Sequence, residues 1–220
     1  RDALIALYNT TNGDNWHKKI NWKKQPLAPD GFAMPGTENT WYGITCDAAN
    51  TTVLEIYFSS NNLQGNLPPE LGNLSNLISL KFYSGNLTGS LPTELGNLSN
   101  LLKLTILDTG LSGSLLPELG NLVNLQRLDL HDNHFTGSLP PDLGNLVNLE
   151  WFDLSYNDLT GSFPAELGNL TNLEYLILCR NSFNGTLPPE LGNMTNLYSL
   201  NLIGNDIGGI PAELGNLTNL

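Results

Sequence analysis

The sequence has 220 residues, 40% hydrophobic and only 14% charged, with a formal net charge of −12. That acidity argues against a nucleic-acid backbone or an anionic membrane surface as partner. No apolar run approaches the roughly 20 residues of a membrane helix, so no membrane insertion is expected of this stretch.

The chain opens on DALIALYN, where Ala3, Leu4, Leu7 and Tyr8 share one stripe and predict a short amphipathic helix. Asn12-Gly13-Asp14 should end it as a turn. Trp16, Trp22 and Trp41, three of the four tryptophans, then stand among Asn, Lys, Pro and Gly. Aromatics bury much area with few residues, which suits a cap over the exposed end of a stack of repeats; the alternative is a platform for stacking carbohydrate. Residues 21–40 carry Pro26, Pro29, Gly31, Pro35 and Gly36 and read as a loop running over that cap.

From Val53 one phrase recurs, LxxLxLxxNxLTGxLPxELGNLxNL. Its first apolar position falls at Val53, Leu77, Leu101, Leu125, Leu149, Leu173 and Leu197, each 24 residues after the last, and then at Leu220 after 23. Such a period means one supersecondary unit stacked on its neighbours. The expected organisation is an amino-terminal cap over 1–52, seven repeats over 53–219, and the start of a further, truncated repeat at 220. The sequence begins at Arg1 without Met or a signal peptide and reads as a mature or trimmed product, and because it stops at Leu220, the first residue of a further repeat, the natural protein is expected to continue.

Within a repeat, LxxLxL alternates at period two and predicts a short strand with one buried face, stacked in parallel on its neighbours. Asn61, Asn133, Asn157, Asn181 and Asn205 at the ninth position should turn inward and satisfy backbone groups where the chain bends. Gly85 and Thr109 break that ladder, and local irregularity or bound water is expected there. Gly and Pro of xGxLP turn the chain, and PxELGNL begins a single helical turn. The acids Glu70, Glu94, Glu118, Asp142, Glu166, Glu190 and Glu213 line up near its start; they read as a helix-start and solubility device ahead of a calcium-binding ladder.

The LTGxLPxELGNLxNL phrase looks like the plant-type subclass of leucine-rich repeats. That subclass occurs in receptor-kinase ectodomains, in polygalacturonase-inhibiting proteins, and in similar algal, protist and bacterial proteins. Trp41-Tyr42-Gly43-Ile44-Thr45-Cys46 resembles the WxGVxC phrase that closes the family's amino-terminal cap. Together the two cover nearly the whole chain. The resemblance implies an α/β solenoid: a right-handed superhelix with a concave parallel sheet, a second short sheet from LTGxLP, and helical or 3-10 turns on the convex side. The chain departs from the family in the cap, where paired cysteines are common and Cys46 has no neighbour. Cys179 lies five strand spacings away, about 24 Å, and a disulfide needs Cα atoms within about 7 Å.

In a solenoid the unrepeated residues at outward strand positions carry specificity. In repeats four to six the third position holds Arg127, Trp151 and Tyr175, and the fifth Asp129 and Asp153; His131, Asp132, Tyr156 and Arg180 surround them. Aromatics with Arg and acids have the composition of a binding hot spot, so Arg127, Asp129, His131, Trp151, Asp153, Tyr156, Tyr175 and Arg180 are the candidate ligand-binding residues. Asp129, His131 and Ser155 superficially suggest a nucleophilic triad, but an open sheet offers neither an oxyanion hole nor exclusion of water. Asp129, His131 and Asp153 are possible metal ligands, but three ligands on a flat face are a poor cage. No catalytic residue, metal or cofactor is expected.

The leading functional reading is a non-enzymatic recognition module for a protein, peptide or glycan, extracellular or at the cell surface. Sequons at Asn9, Asn50, Asn73, Asn86, Asn97, Asn169, Asn184, Asn193 and Asn216 would make it a glycoprotein, although five of them lie in the repeated GNL/GNM phrase. The alternative is a structural or adhesive repeat protein that self-assembles. Ice binding ranks behind both, because the column Ser75, Ser99, Val123, Val147, Thr171, Thr195, Thr218 is interrupted by two valines.

Overall fold

The helix at the start of the chain spans Asp2–Thr10 and buries Ala3, Leu4, Leu7 and Tyr8; the computed structural model describes all of residues 1–220. Asn12 follows in the left-handed conformation. Trp16, Trp22 and Trp41 are 3%, 0% and 1% exposed, so none can serve as a sugar platform. They form one aromatic cluster with Tyr8, and Trp16 reaches Phe58 of the first repeat at 4.8 Å between ring centres. The segment 21–40 does more than run over the surface. Leu27 and Ala33 pair across an antiparallel bridge, and Phe32 and Ala33 are buried in the core.

Ile44–Cys46 forms a strand antiparallel to Val53–Ser59, which covers the free edge of the first repeat. The strands Ser79–Tyr83, Lys103–Leu107, Arg127–Asp129, Trp151–Asp153, Tyr175–Ile177 and Ser199–Asn201 then add in parallel, giving a sheet of eight. Register follows the sequence period, with Lys103 beside Arg127, Arg127 beside Trp151 and Trp151 beside Tyr175. A second row of short strands follows the turn of each repeat, and five-residue 3-10 turns such as Pro141–Asn145 lie beyond it. One apolar cluster runs unbroken from Leu4 to Leu217, so the amino-terminal segment and the repeats share a core.

The inward asparagines join consecutive repeats. Asn157 Nδ2 donates to the carbonyls of Leu130 and Leu154, both at 3.0 Å, while its Oδ1 accepts the Phe135 N–H at 3.0 Å. Asn181 and Asn205 repeat this pattern. Asn61 has no repeat before it and instead exchanges two hydrogen bonds with the backbone of Lys18. The Thr109 hydroxyl partly substitutes by donating to Asn133 Oδ1. Gly85 supplies nothing, and the second row of strands divides here, between Asn86–Leu87 and Ser112–Ser114.

Gly85→Asn should therefore stabilise the protein by about 1 kcal/mol, the net value of a typical hydrogen bond. Gly85 has no positive φ, and a Cβ there would sit 3.4 Å from the Leu63 carbonyl, an ordinary contact. Its amide oxygen would face the Leu63 N–H as Asn157 faces Phe135. A rise in urea midpoint is expected; a fall would mean that the second turn cannot take the ladder geometry.

Candidate functional site

On the concave face, neighbouring strands hold Arg127, Trp151 and Tyr175 side by side. The Arg127 guanidinium lies 4.3 Å from the centre of the Trp151 ring, and the Tyr175 ring lies 4.8 Å from it. With neighbours this close on both sides, Trp151 is half-buried. Its Nε1–H is buried without a hydrogen-bond partner. The row continues at Ser199, and Tyr198 beside it lies 6.0 Å from Tyr175 and is 67% exposed.

Beside this row the fifth position differs from a simple outward reading. Asp129 and Asp153 do point to the concave side, but they are only 1% and 7% exposed. Their side chains are short, and the longer Arg127 and His131 close over them. Arg127 Nη2 donates to Asp129 Oδ2 at 2.5 Å, and His131 Nδ1 lies 2.8 Å from Asp129 Oδ1. That hydrogen bond, with Asp129's charge, holds the His131 imidazole above the usual histidine range despite its partial burial. Burial likewise raises the Asp153 carboxyl, against the hydrogen bonds it accepts from the N–H and Oγ–H of Ser155 at 2.9 and 2.6 Å.

This arrangement is a closed network. The Ser155 hydroxyl is committed to Asp153, and its hydrogen bond does not run to His131, so the side chains that superficially suggest a triad do not form one. The donor atoms of Asp129, His131 and Asp153 lie within 4.8 Å of one another. A metal ion there would have to break the Asp129–His131 hydrogen bond and sit beside the Arg127 charge. What the network does is fix Arg127: the Asp129 carboxylate holds one end of the guanidinium and the Trp151 ring lies 4.3 Å from it.

The family model described as leucine-rich repeat region matches residues 109–220, and one described as leucine rich repeat matches 52–74. The chain belongs to the leucine-rich-repeat family. Among solved structures it is similar to the PEPR1–AtPEP1 complex, with 31% identity and a TM-score of 0.86 over 99% of this chain and 30% of that one. It is similar to the Arabidopsis receptor kinase HAESA in complex with the peptide hormone IDA and the co-receptor SERK1, with 33% identity and a TM-score of 0.83 over 100% of this chain and 35% of that one. The plant peptide hormone receptor RGFR1 in complex with RGF2 is 40% identical, with a TM-score of 0.74 over 76% of this chain and 27% of that one. The repeats are thus of the plant type, and this chain spans about a third or less of those receptor chains. No curated protein matches it.

In this leucine-rich-repeat chain the eighth position is the turn out of the strand. Ser60, Ser84, Asp108, Asp132, Tyr156 and Arg180 all take φ between 48° and 54°. Asp and Asn adopt that conformation readily and bulky residues do not. Tyr156 and Arg180 hold it nonetheless, with the guanidinium 5.2 Å from the phenol ring, and Tyr156 is 48% exposed. A second cluster lies at the other end of the face: Glu55 pairs with Lys81 at 2.7 Å, and the Tyr57 and Tyr83 rings meet at 5.7 Å. The sequence columns contained these residues, but only the side-chain geometry joins them into a group. Cys46 and Cys179 are both free.

Proposed function

We propose that this chain is a non-enzymatic, extracellular recognition module whose concave face over repeats four to six binds a protein or peptide. The observation that carries the reading is the ordered row Arg127–Trp151–Tyr175, held by the buried carboxylate of Asp129. Pre-ordered Arg and aromatic side chains lose little entropy on binding, which is what makes such residues dominate interfaces. Among the similar structures RGFR1 is a peptide hormone receptor and HAESA is in complex with a peptide hormone, which supports a peptide over other classes. Asp129, His131, Asp153, Tyr156 and Arg180 frame the row. All nine sequon asparagines are exposed, consistent with glycosylation outside the cell.

The test uses a peptide selected from a random library displayed on phage and titrated by calorimetry. Trp151→Ala should cost on the order of 2 kcal/mol of affinity, as a central aromatic anchor does. Glu190→Gln, on an exposed 3-10 turn away from the sheet, should leave affinity unchanged. Equal affinity for Trp151→Ala and the parent, or greater loss from Glu190→Gln, would place the binding surface elsewhere.

A further inference from the structure

Four of the nine basic residues, Lys18, Lys19, Lys23 and Lys24, stand in one short loop of the cap, and no acid lies between Asn15 and Pro29. All four lysines are exposed. Buried Trp22 sets where they stand. Its N–H closes a turn on the Lys19 carbonyl, with Asn21 at φ 67°, and Lys19, Lys23 and Lys24 come to line one depression of about 470 Å³. The carboxylate in that depression, Asp14, is already used: its Oδ1 takes the Lys23 ammonium at 2.7 Å and the Tyr8 hydroxyl at 2.9 Å. Lys19 donates to the backbone carbonyl of Asp14, and Asp30 and Glu38 are taken by Arg1. Lys19 and Lys24 thus keep two ammonium charges that no carboxylate compensates.

Asn21 and Lys24 also line a second depression, of about 250 Å³, so the two adjoin. Apart from Lys24 this half is uncharged, with Gln25 and Thr37 beside Pro26 and Met34. Asn21 Nδ2 donates to the Thr40 carbonyl, which leaves its amide oxygen free to accept. We infer that these joined depressions on the cap bind an acidic sugar chain, a uronate carboxylate lying against Lys19 and Lys24 and a neighbouring ring over the uncharged half. Amides with unused hydrogen-bonding capacity next to apolar side chains suit a pyranose, which presents both hydroxyls and a C–H face. An acidic peptide would use the ammonium groups alone. One carboxylate per ring also suits a chain of net charge −12, whose overall field repels dense polyanions. The site shares no residue with the concave face and does not depend on the function proposed for it.

The probe is the β-1,4-linked glucuronate trisaccharide from oxidised cellulose, titrated by calorimetry. Cellotriose offers the same rings without carboxylates, and triglutamate offers carboxylates without rings. The uronate should bind at least about tenfold more tightly than either. Lys19→Gln with Lys24→Gln should weaken binding about tenfold and remove most of its salt dependence. Gln25→Ala should weaken it about fivefold, while Trp151→Ala on the concave face should change nothing. No saturable binding, or an affinity indifferent to the cap variants, would overturn the inference. Equal binding of cellotriose would remove the role of the lysines, and equal binding of triglutamate would make this a site for acidic peptides; either result contradicts it. So would loss with Trp151→Ala alone, which would move the sugar to the concave face.

Discussion

Trp22→Ala is expected to destabilise the protein by about 3–5 kcal/mol, the range for removing a large aromatic from a packed core. The indole is fully buried, with Trp41 at 4.7 Å, Trp16 at 5.1 Å and Tyr8 at 5.4 Å between ring centres. Its Nε1–H also donates to the Tyr42 carbonyl at 3.0 Å, which would lose that donor. Trp16 touches Phe58, so loosening the cluster also uncovers the first repeat. In a solenoid each repeat leans on its neighbour, and damage at the end should show as an earlier first transition in urea, with the later repeats less affected. A first transition at the parent's midpoint would mean that the amino-terminal aromatics do not support the repeats. Trp151→Ala, outside the core, should move the midpoint far less.

Gly144→Ala should cost about 3 kcal/mol, the upper end of ordinary overpacking. A Cβ there would lie 2.4 Å from the Glu166 carbonyl oxygen of the next repeat. That atom belongs to the backbone and cannot swing aside. The corresponding Gly215 meets nothing within 4 Å, so Gly215→Ala should be neutral or slightly stabilising in this chain. Thermal melts of the two variants form a matched comparison. Equal, small effects would show that the repeats can separate enough to admit a methyl group at each turn.

That glycine shows where sequence reasoning stops. The ELGN phrase was visible in every repeat, yet as sequence it reads as a helical turn; only stacking brings the carbonyl of the next repeat onto the glycine. The strand positions were far more legible, because a period of 24 fixes both the buried leucines and the partner of each outward residue. Trp151 between Arg127 and Tyr175 follows from that register alone. The burial of Asp129 does not: alternation says which face a residue is on, but not that two longer neighbours will fold over it. The strand Ile44–Cys46 was hidden for a related reason, since three residues are too few for a period and its pairing is antiparallel. The second asparagine of GNLxNL was equally silent. Asn124, Asn148 and Asn172 each donate to a carbonyl of the preceding repeat at 2.8–2.9 Å, a role that requires both repeats to be in place.

The most direct test of the concave-face account is a hydroxyl-radical footprint of the protein bound to its library-selected peptide. The accessible aromatics report on different surfaces: half-buried Trp151 and Tyr175 and exposed Tyr156 on repeats five and six, exposed Tyr57 on the first repeat, and exposed Tyr198 on the seventh. Binding over repeats four to six predicts that Trp151, Tyr156 and Tyr175 lose reactivity together while Tyr57 does not change. Protection of Tyr57 or of Tyr198 alone, with Trp151 and Tyr175 as reactive as in the free protein, would contradict it.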